Sequence, residues 1–554
     1  MRPDAYNQPV VIFYLSSRRR GALHTALLLG LALVLAICIA PRTPAQTAPE
    51  PGPAAAGSGR ILLVLPFDNR TGQPSLEWIR EAAAELLSSR FASAGFAPMS
   101  RTDRMYALDH LGLPQGFQPS RASSLRLAQT LDADSIVVGS YLTDGTGIVA
   151  EAQVVDVPHL RMSQPVTARG EMKDLVAVFD SLAWKLTRQL DPSFSVAEET
   201  FVAAGAGLRL DAFEQYIRGI TEPDQEERLR HLKNSVQLSP DFSPAWMALG
   251  REDYNSQQYE QAAAAFAKVS GSDPDALEAG FYRGLSLLFS GDYPRAEQAF
   301  AGVARILPLA QVVNNQGVAV SRRGRDGSAL FSQAVAADPN AADYHFNLAV
   351  SLKRQGNTAQ ALAEIAQCLR LHPADSEAQS LETEWKAPPA GGDEAKADPL
   401  ERIERNFDAV AFHQAALMLE QMEAARLAAL APQERAKKLA VEARDYLDRG
   451  LLLDADRLFQ SALAADGSVA EAHAGLAEVH ERTGDADAAR KEAHAALDIE
   501  PSAEAYLVLG RLDLAANRLT EASNEAGEAL KLDPNSHAAA ELRDAIDARQ
   551  GQKK

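Results

Sequence analysis

Prolines recur along the second half of this chain at a nearly fixed interval. Pro240, Pro274 and Pro308 are spaced 34 residues apart, Pro339 follows after 31 and Pro373 after another 34. After a gap, Gly467, Pro501 and Pro534 continue the series at 34 and 33. A proline ends a helix, because it lacks the N–H and its ring collides with the preceding turn. Each interval holds two helical apolar patterns with a polar turn between them. Gly250, Gly284, Ala349 and Ala477 fall midway along the first pattern, and Ala262, Ala296, Ala361 and Ala489 fall in the second. Small residues at these places let two helices approach closely, and Phe266, Phe300 and Ile365 fill the space left between neighbours. One such pair cannot bury its apolar face alone, so the pairs must stack side by side into a superhelix.

Composition supports this reading and removes several others. The chain has 554 residues, of which 46% are apolar and 6% aromatic. That is enough apolar material for packed cores, with many small helix–helix contacts in place of a β-rich interior. The formal charge of -19 argues against nucleic acid or anionic lipid as the main partner. Two cysteines, Cys38 and Cys368, exclude a disulfide scaffold and a cysteine zinc site.

The repeated segments resemble tetratricopeptide repeats. Five are expected over 209–375 and three over 436–536, followed by a capping helix and tail over 537–554. The first copy is a weak match, and the fourth has lost three residues around Arg325. Between the blocks, residues 386–397 contain Pro388-Pro389 and Gly391-Gly392 and read as a linker. A connecting helix is expected over 400–430, with Phe407, Val410, Ala411, Leu417, Leu419 and Met422 apolar; it docks on one block or binds a partner.

Residues 60–192 alternate strand and helix signals. Ile61 to Leu65 is a continuous apolar run, as in a strand buried on both faces. A helix over 75–94, two short helices near 103–111 and 123–131, a hairpin turning at Asp144-Gly145, a strand over 161–170 and a helix over 173–190 complete one small mixed-sheet α/β domain. The run Leu63 to Asn69 and the run Ala133 to Ser140 resemble the TolB-like amino-terminal domain, which precedes tetratricopeptide repeats in many bacterial envelope proteins. The resemblance implies an interaction module and no chemistry. The β-propeller of TolB itself is absent from this chain.

The first 45 residues carry Arg18, Arg19 and Arg20 before an uncharged run from Gly21 to Ala40. This is the layout of a secretory signal, cleaved before Gln46, or of an uncleaved anchor over 21–40. Either outcome exports the rest of the chain to the bacterial periplasm or cell envelope. Residues 46–59 read as a flexible linker. Membrane contact is expected only through this segment if it stays attached.

No residue pattern carries chemistry. His473 and His480 lie seven apart on one helix, where the repeat places core-filling residues. Cys368 reads as a small buried residue. The loop Asp68 to Gly72 follows a buried strand, where α/β domains often hold ligands. No H-E-x-x-H, G-x-S-x-G or P-loop pattern is present. No cofactor, metal or catalytic residue is therefore assigned, and an enzyme is not expected.

The concave face of the array is the candidate site. Repeat alignment places Arg251, Tyr254 and Asn255 there in one copy, Phe281, Leu285 and Phe289 in the next, then Arg322 and Arg323, then Lys353 and Arg354. Together they predict a mixed apolar and basic groove on an acidic protein, suited to an extended or helical peptide with acidic residues. The lysine and asparagine clamp by which some chaperone-binding repeats grip a terminal carboxylate is not assembled. The expected function is a non-enzymatic scaffold or adaptor of the bacterial envelope. The alternative is a sensor whose α/β domain binds a small ligand and whose repeats relay it.

Overall fold

The computed structural model describes residues 61–551, apart from 115–119, 195, 206, 272, 388–398, 408 and 449. The expected signal or anchor and its linker over 1–59 lie outside the described residues, as does most of the 386–397 linker. Among the described residues no helix is long and apolar enough to cross a membrane.

The amino-terminal unit is a mixed sheet of β1 (Ile61–Val64), β2 (Asp68–Asn69), β3 (Ala97–Pro98), β4 (Ser135–Asp144), β5 (Gly147–Asp156), β6 (Arg161–Met162) and β7 (Val166–Glu171). Strands β1, β3 and β4 run parallel, in the order β3-β1-β4, and β2 extends the parallel pairing along β4. Strand β5 returns antiparallel to β4, with Asp144 opposite Gly147, and then pairs with both β6 and β7. The helices α1 (Ile79–Ser93), α2 (Arg101–His110), α3 (Arg121–Thr130) and α4 (Leu175–Leu190) cover both faces. Leu62, Val64 and Val137 pack with α1 and α4 on one face. Leu63, Leu65 and Ile136 pack with α2 and α3 on the other. A strand covered twice must be apolar at every residue, which explains the run from Ile61 to Leu65. The single strand expected over 161–170 is two, β6 and β7, which pair with opposite ends of β5.

A short helix, α5 (Glu198–Ala203), joins this unit to the repeats. Arg90 of α1 donates to the Phe201 carbonyl and lies over the Phe201 ring, 4.2 Å from its centre. It also meets buried Asp180 of α4 at 3.3 Å. Phe213 and Ile217 of the first repeat helix share the core of the α/β unit.

The first repeat block is five helix pairs. These are α6 (Leu210–Thr221) with α7 (Gln225–Leu238), α8 (Ser243–Asn255) with α9 (Tyr259–Phe266), α10 (Ala276–Phe289) with α11 (Tyr293–Ile306), α12 (Ala310–Arg322) with α13 (Ser328–Ala337), and α14 (Ala342–Arg354) with α15 (Thr358–Leu371). Helix α16 (Ser376–Lys386) ends the block, and α17 (Ala409–Ala428) follows. The second block pairs α18 (Pro432–Asp448) with α19 (Leu452–Ala465), α20 (Ala470–Arg482) with α21 (Ala486–Ile499), and α22 (Ala503–Ala515) with α23 (Leu519–Leu532), closed by α24 (His537–Gly551).

The small residues act as their spacing predicts. A Cβ at Gly250 would fall 2.7 Å from the Phe266 ring, one at Gly284 2.6 Å from Phe300, and one at Gly317 2.7 Å from Phe331. Each glycine on a first helix is thus the socket for the phenylalanine of its own second helix. Ala349 and Ile365 meet in the fifth copy, where a slightly larger residue faces a slightly smaller one. The fourth copy is shortened in its second helix, α13 having 10 residues where α11 and α15 have 14, while the turn before it is two residues longer.

Candidate functional site

Residues 399–407 are not the start of the connecting helix. They form an extended strap, and the helix expected from 400 begins at Ala409. The strap lies along first helices of block 1, so the segment that reads as helical by apolar spacing takes its conformation from the surface it meets.

Two buried asparagines hold its backbone. Asn347 of α14 accepts from the Arg402 N–H at 2.6 Å and donates to the Arg402 carbonyl at 2.7 Å. Asn315 of α12 does the same for residue 404, accepting from its N–H at 2.9 Å and donating to its carbonyl at 2.7 Å. Residues i and i+2 of an extended chain turn their N–H and C=O groups the same way, so two side-chain amides imitate the edge of a neighbouring strand. Asn314 braces the pair: it accepts from Asn347 at 2.8 Å and donates to the Arg402 carbonyl at 3.3 Å. All three asparagines are fully buried. Asparagine is a poor residue for a helix interior. The strap supplies the polar partners that make the burial tolerable.

Side chains of the strap enter two oppositely charged pockets. The Glu401 carboxylate is buried and takes hydrogen bonds from Ser321, Arg322 and Arg354, with Arg322 Nε at 3.0 Å. Burial alone would raise its pKa, but the hydrogen bonds from Ser321 and Arg354 hold it below the ordinary value. The Arg402 guanidinium meets Asp375 at 2.6 Å, Asp343 at 2.8 Å and Glu377 at 3.1 Å, and its central carbon sits 3.7 Å from the centre of the Phe346 ring. This arginine, hydrogen-bonded to Asp375, draws the Asp375 carboxyl down to about 2. Further along, Ile403 and Phe407 join the core of α10 to α12. The Phe407 ring lies 5.5 Å from that of Phe281, and Arg405 lies over Phe289 at 5.4 Å.

Of the residues aligned to the groove, Phe281, Phe289, Arg322 and Arg354 contact the strap. Phe281 and Leu285 are completely buried, so they form the floor and not an open wall. Tyr254 packs against Tyr259, Tyr282 and Phe289 beside it. Arg251 is paired with Glu278 at 2.7 Å, and Asn255 is exposed at the end of α8. Two placements need correction. Arg323 points to the second-helix side, where it and Arg325 share Glu297. Lys353 reaches Thr358 and the Trp385 ring, away from the strap. Arg323 and Lys353 are one residue round the helix from Arg322 and Arg354, a turn of 100°, enough to leave the groove. The residues missed are Asn314, Asn315, Asn347, Asp343 and Asp375. The available signal was asparagine in the middle of two successive first helices, at equivalent places of the repeat.

The other candidates resolve into structural roles. His473 bonds Glu492 at 2.7 Å across its helix pair, and His345 bonds Glu364 at 2.6 Å at the equivalent place in block 1. His480 is held below its ordinary pKa by burial. Cys368 is buried, and burial with the nearby Asp375 pushes its thiol up to about 12, which favours the neutral thiol. In the loop after β1, Asn69 accepts from Thr71 and donates to Glu77 and the Gln73 carbonyl, so its amide is committed within the loop. Among the described residues no group of three or more His, Cys, Asp or Glu is placed to hold a metal.

Comparison with known sequences and structures places the repeats. The sequence model of the family described as tetratricopeptide repeat matches residues 247–310, 320–379 and 441–504. The chain therefore carries tetratricopeptide repeats in both blocks. Solved structures similar to parts of it include YrrB, described as a TPR protein with an unusual peptide-binding site, at 14% identity, covering 37% of this chain and 99% of that one with a TM-score of 0.28. MamA from Desulfovibrio magneticus RS-1 is similar at 22% identity, covering 31% and 99% with a TM-score of 0.28. The LpoB C-terminal domain from Salmonella enterica is similar at 21% identity, covering 21% and 85% with a TM-score of 0.19. None of the curated proteins compared with it matches this chain.

Proposed function

We propose that the protein is a non-enzymatic scaffold of the bacterial cell envelope that binds partner proteins through its tetratricopeptide arrays. One observation carries the binding half of this reading. The first helices of block 1 hold the strap at the backbone of residues 402 and 404 and by two oppositely charged pockets that take Glu401 and Arg402. A surface that holds one extended segment this way is built to hold extended segments. The cellular half rests on sequence: the basic and apolar layout of residues 18–40, and the resemblance of Leu63 to Asn69 and Ala133 to Ser140 to a TolB-like domain. In this reading the α/β unit is the membrane-proximal module and the repeats reach outward.

The test is crosslinking and affinity capture from membranes, with the full chain and with residues 209–536 deleted. Partners are expected with the first and absent with the second. Equal recovery from both would remove the scaffold reading. Fractionation tests the location separately: recovery in the cytoplasm alone would overturn the envelope assignment.

A further inference from the structure

The groove of block 1 sorts its charges in a way that a bare surface would not tolerate. Arg322 and Arg354 occupy equivalent places in successive first helices, and ion pairs from both converge on the one carboxylate of Glu401. Asp343, Asp375 and Glu377 cluster on the other side and converge on the one guanidinium of Arg402. Like charges gathered this closely repel unless an opposite charge is placed between them. Between the two pockets the asparagine clamp reads only backbone, so it accepts any residue in extended form. Beyond it, the aromatic floor at Phe281 takes an aromatic side chain.

Resting on the scaffold reading, we propose that residues 399–407 are a resident stand-in for a partner peptide. The groove accepts in trans an extended segment with an acid followed directly by an arginine, and an aromatic residue five places after that arginine. The strap presents this chemistry as Glu401, Arg402 and Phe407. It is tethered on one side by the twelve residues after Lys386, a Pro- and Gly-containing stretch, and on the other by α17. Tethering at short range sets a local concentration on the order of millimolar, so the strap masks the groove against weak or scarce ligands. A partner must match the strap's chemistry well enough to displace it.

The experiment uses the full chain and a fluorescein-labelled peptide with the sequence of residues 399–407. Anisotropy titration is run on the wild type, on the charge-reversed strap Glu401→Arg with Arg402→Glu, and on that variant carrying Asn315→Ala and Asn347→Ala. The reversed strap is repelled from both pockets, so the variant is expected to bind the peptide about 100-fold more tightly than the wild type. Loss of the two asparagines is expected to abolish the gain. A peptide with its acid and arginine exchanged is expected to bind neither chain. No gain in the reversed-strap variant, with its circular-dichroism melting unchanged, overturns the proposal. If that variant is unfolded, the wild type decides: millimolar unlabelled peptide should speed hydrogen exchange within 399–407, and unchanged exchange overturns the idea. A stable dimer by light scattering, lost when the strap is reversed, would make a second copy the occupant and also overturn it. Failure here with partner capture still dependent on residues 209–536 would leave the scaffold reading intact.

Discussion

The two repeat blocks share a backbone plan and diverge at one place in it. In four of the five pairs of block 1 and in all three pairs of block 2, the first helix is followed by a residue in the left-handed region: Gln257, Gly291, Gly324 and Gly356, then Gly450, Gly484 and Asn517. Nine residues before it, block 1 has Ala248, Tyr282, Asn315 and Asn347. Block 2 has Val441, Gly475 and Val508. Gly475 is closed to any side chain, since a Cβ there would sit 2.1 Å from the Phe459 ring. At this position the second block therefore has no amide with which to hold an extended backbone. Its first-helix charges pair among themselves: Arg444 and Arg482 with Glu478, and Arg511 with Glu481. In block 1 the counterparts of Arg482 are Arg322 and Arg354, and both pair with the strap. The same solenoid thus carries one array that reads chain and one whose surface charges are settled internally.

The interiors differ as well, and here the largest effect is expected. In block 1, Phe266, Phe300 and Phe331 each seat on a glycine of their own pair, whereas among the described residues of block 2 one phenylalanine does so, Phe459 on Gly475 of the next pair. The inner seams of α21 and α23 are Ala489, Ala493 and Ala496, then Ala522, Ala526 and Ala529. Phe300→Ala should destabilise block 1 by about 3–5 kcal/mol, because it empties the socket at Gly284. Ala526→Gly should cost block 2 only about 1 kcal/mol, the helix-propensity difference. Hydrogen exchange resolved by helix would measure both, and equal losses would erase the distinction.

The next effect is smaller and lies in the groove. Glu401→Gln keeps the shape but leaves Arg322 and Arg354 facing a neutral group. It should loosen the strap by about 1.5–3 kcal/mol, the range for hydrogen bonds to a charged group, read as faster exchange at residues 402 and 404. Exchange in block 2 should not change.

How much of this was legible in the sequence follows from where each feature is encoded. The repeats were readable because small residues and prolines must recur wherever helix pairs stack. The positions of Phe281, Phe289, Arg322 and Arg354 followed from aligning the copies. The strap was hidden because Phe407, Val410 and Ala411 have helical spacing, and only contact with Asn315 and Asn347 makes 399–407 extended. Strands β2 and β3 were missed for a similar reason: two residues each carry no period, and pairing with β4 and β1 defines them. Local pattern encodes what the chain does alone; the groove and its occupant decide the rest.

Acidity should move the two blocks in opposite directions. In block 1, the Arg402 partnership holds Asp375 down to about 2. A depressed acid contributes stability above its ordinary pKa, so the strap should hold down to about pH 4 and loosen between there and about pH 2. In block 2, burial raises Asp456 of α19 to about 7. Its charged form is therefore disfavoured in the folded state, and block 2 should gain stability as pH falls from about 7 towards 4. Asp456→Asn should stabilise block 2 at pH 8 by on the order of 2 kcal/mol, with the gain gone near pH 4. A gain independent of pH would mean that packing, not charge, is at issue.

The smallest expected effect is the most direct check on how the charges are arranged. Arg511 and Glu481 form a two-pronged pair in block 2, with Arg511 Nε at 2.6 Å, but the arginine is partly exposed. Water screens such a pair and compensates its loss, so Arg511→Ala should cost under about 1 kcal/mol. Arg354→Ala looks like the same change, an arginine removed from a first helix. It differs because the carboxylate left behind, Glu401, is buried, and among the described residues Ser321 and Arg322 remain to hold it. Its cost should exceed that of Arg511→Ala and appear in the exchange of the strap. If the two substitutions cost the same and the strap does not loosen, Glu401 is no anchor, and the groove's charge pattern is incidental to what it holds.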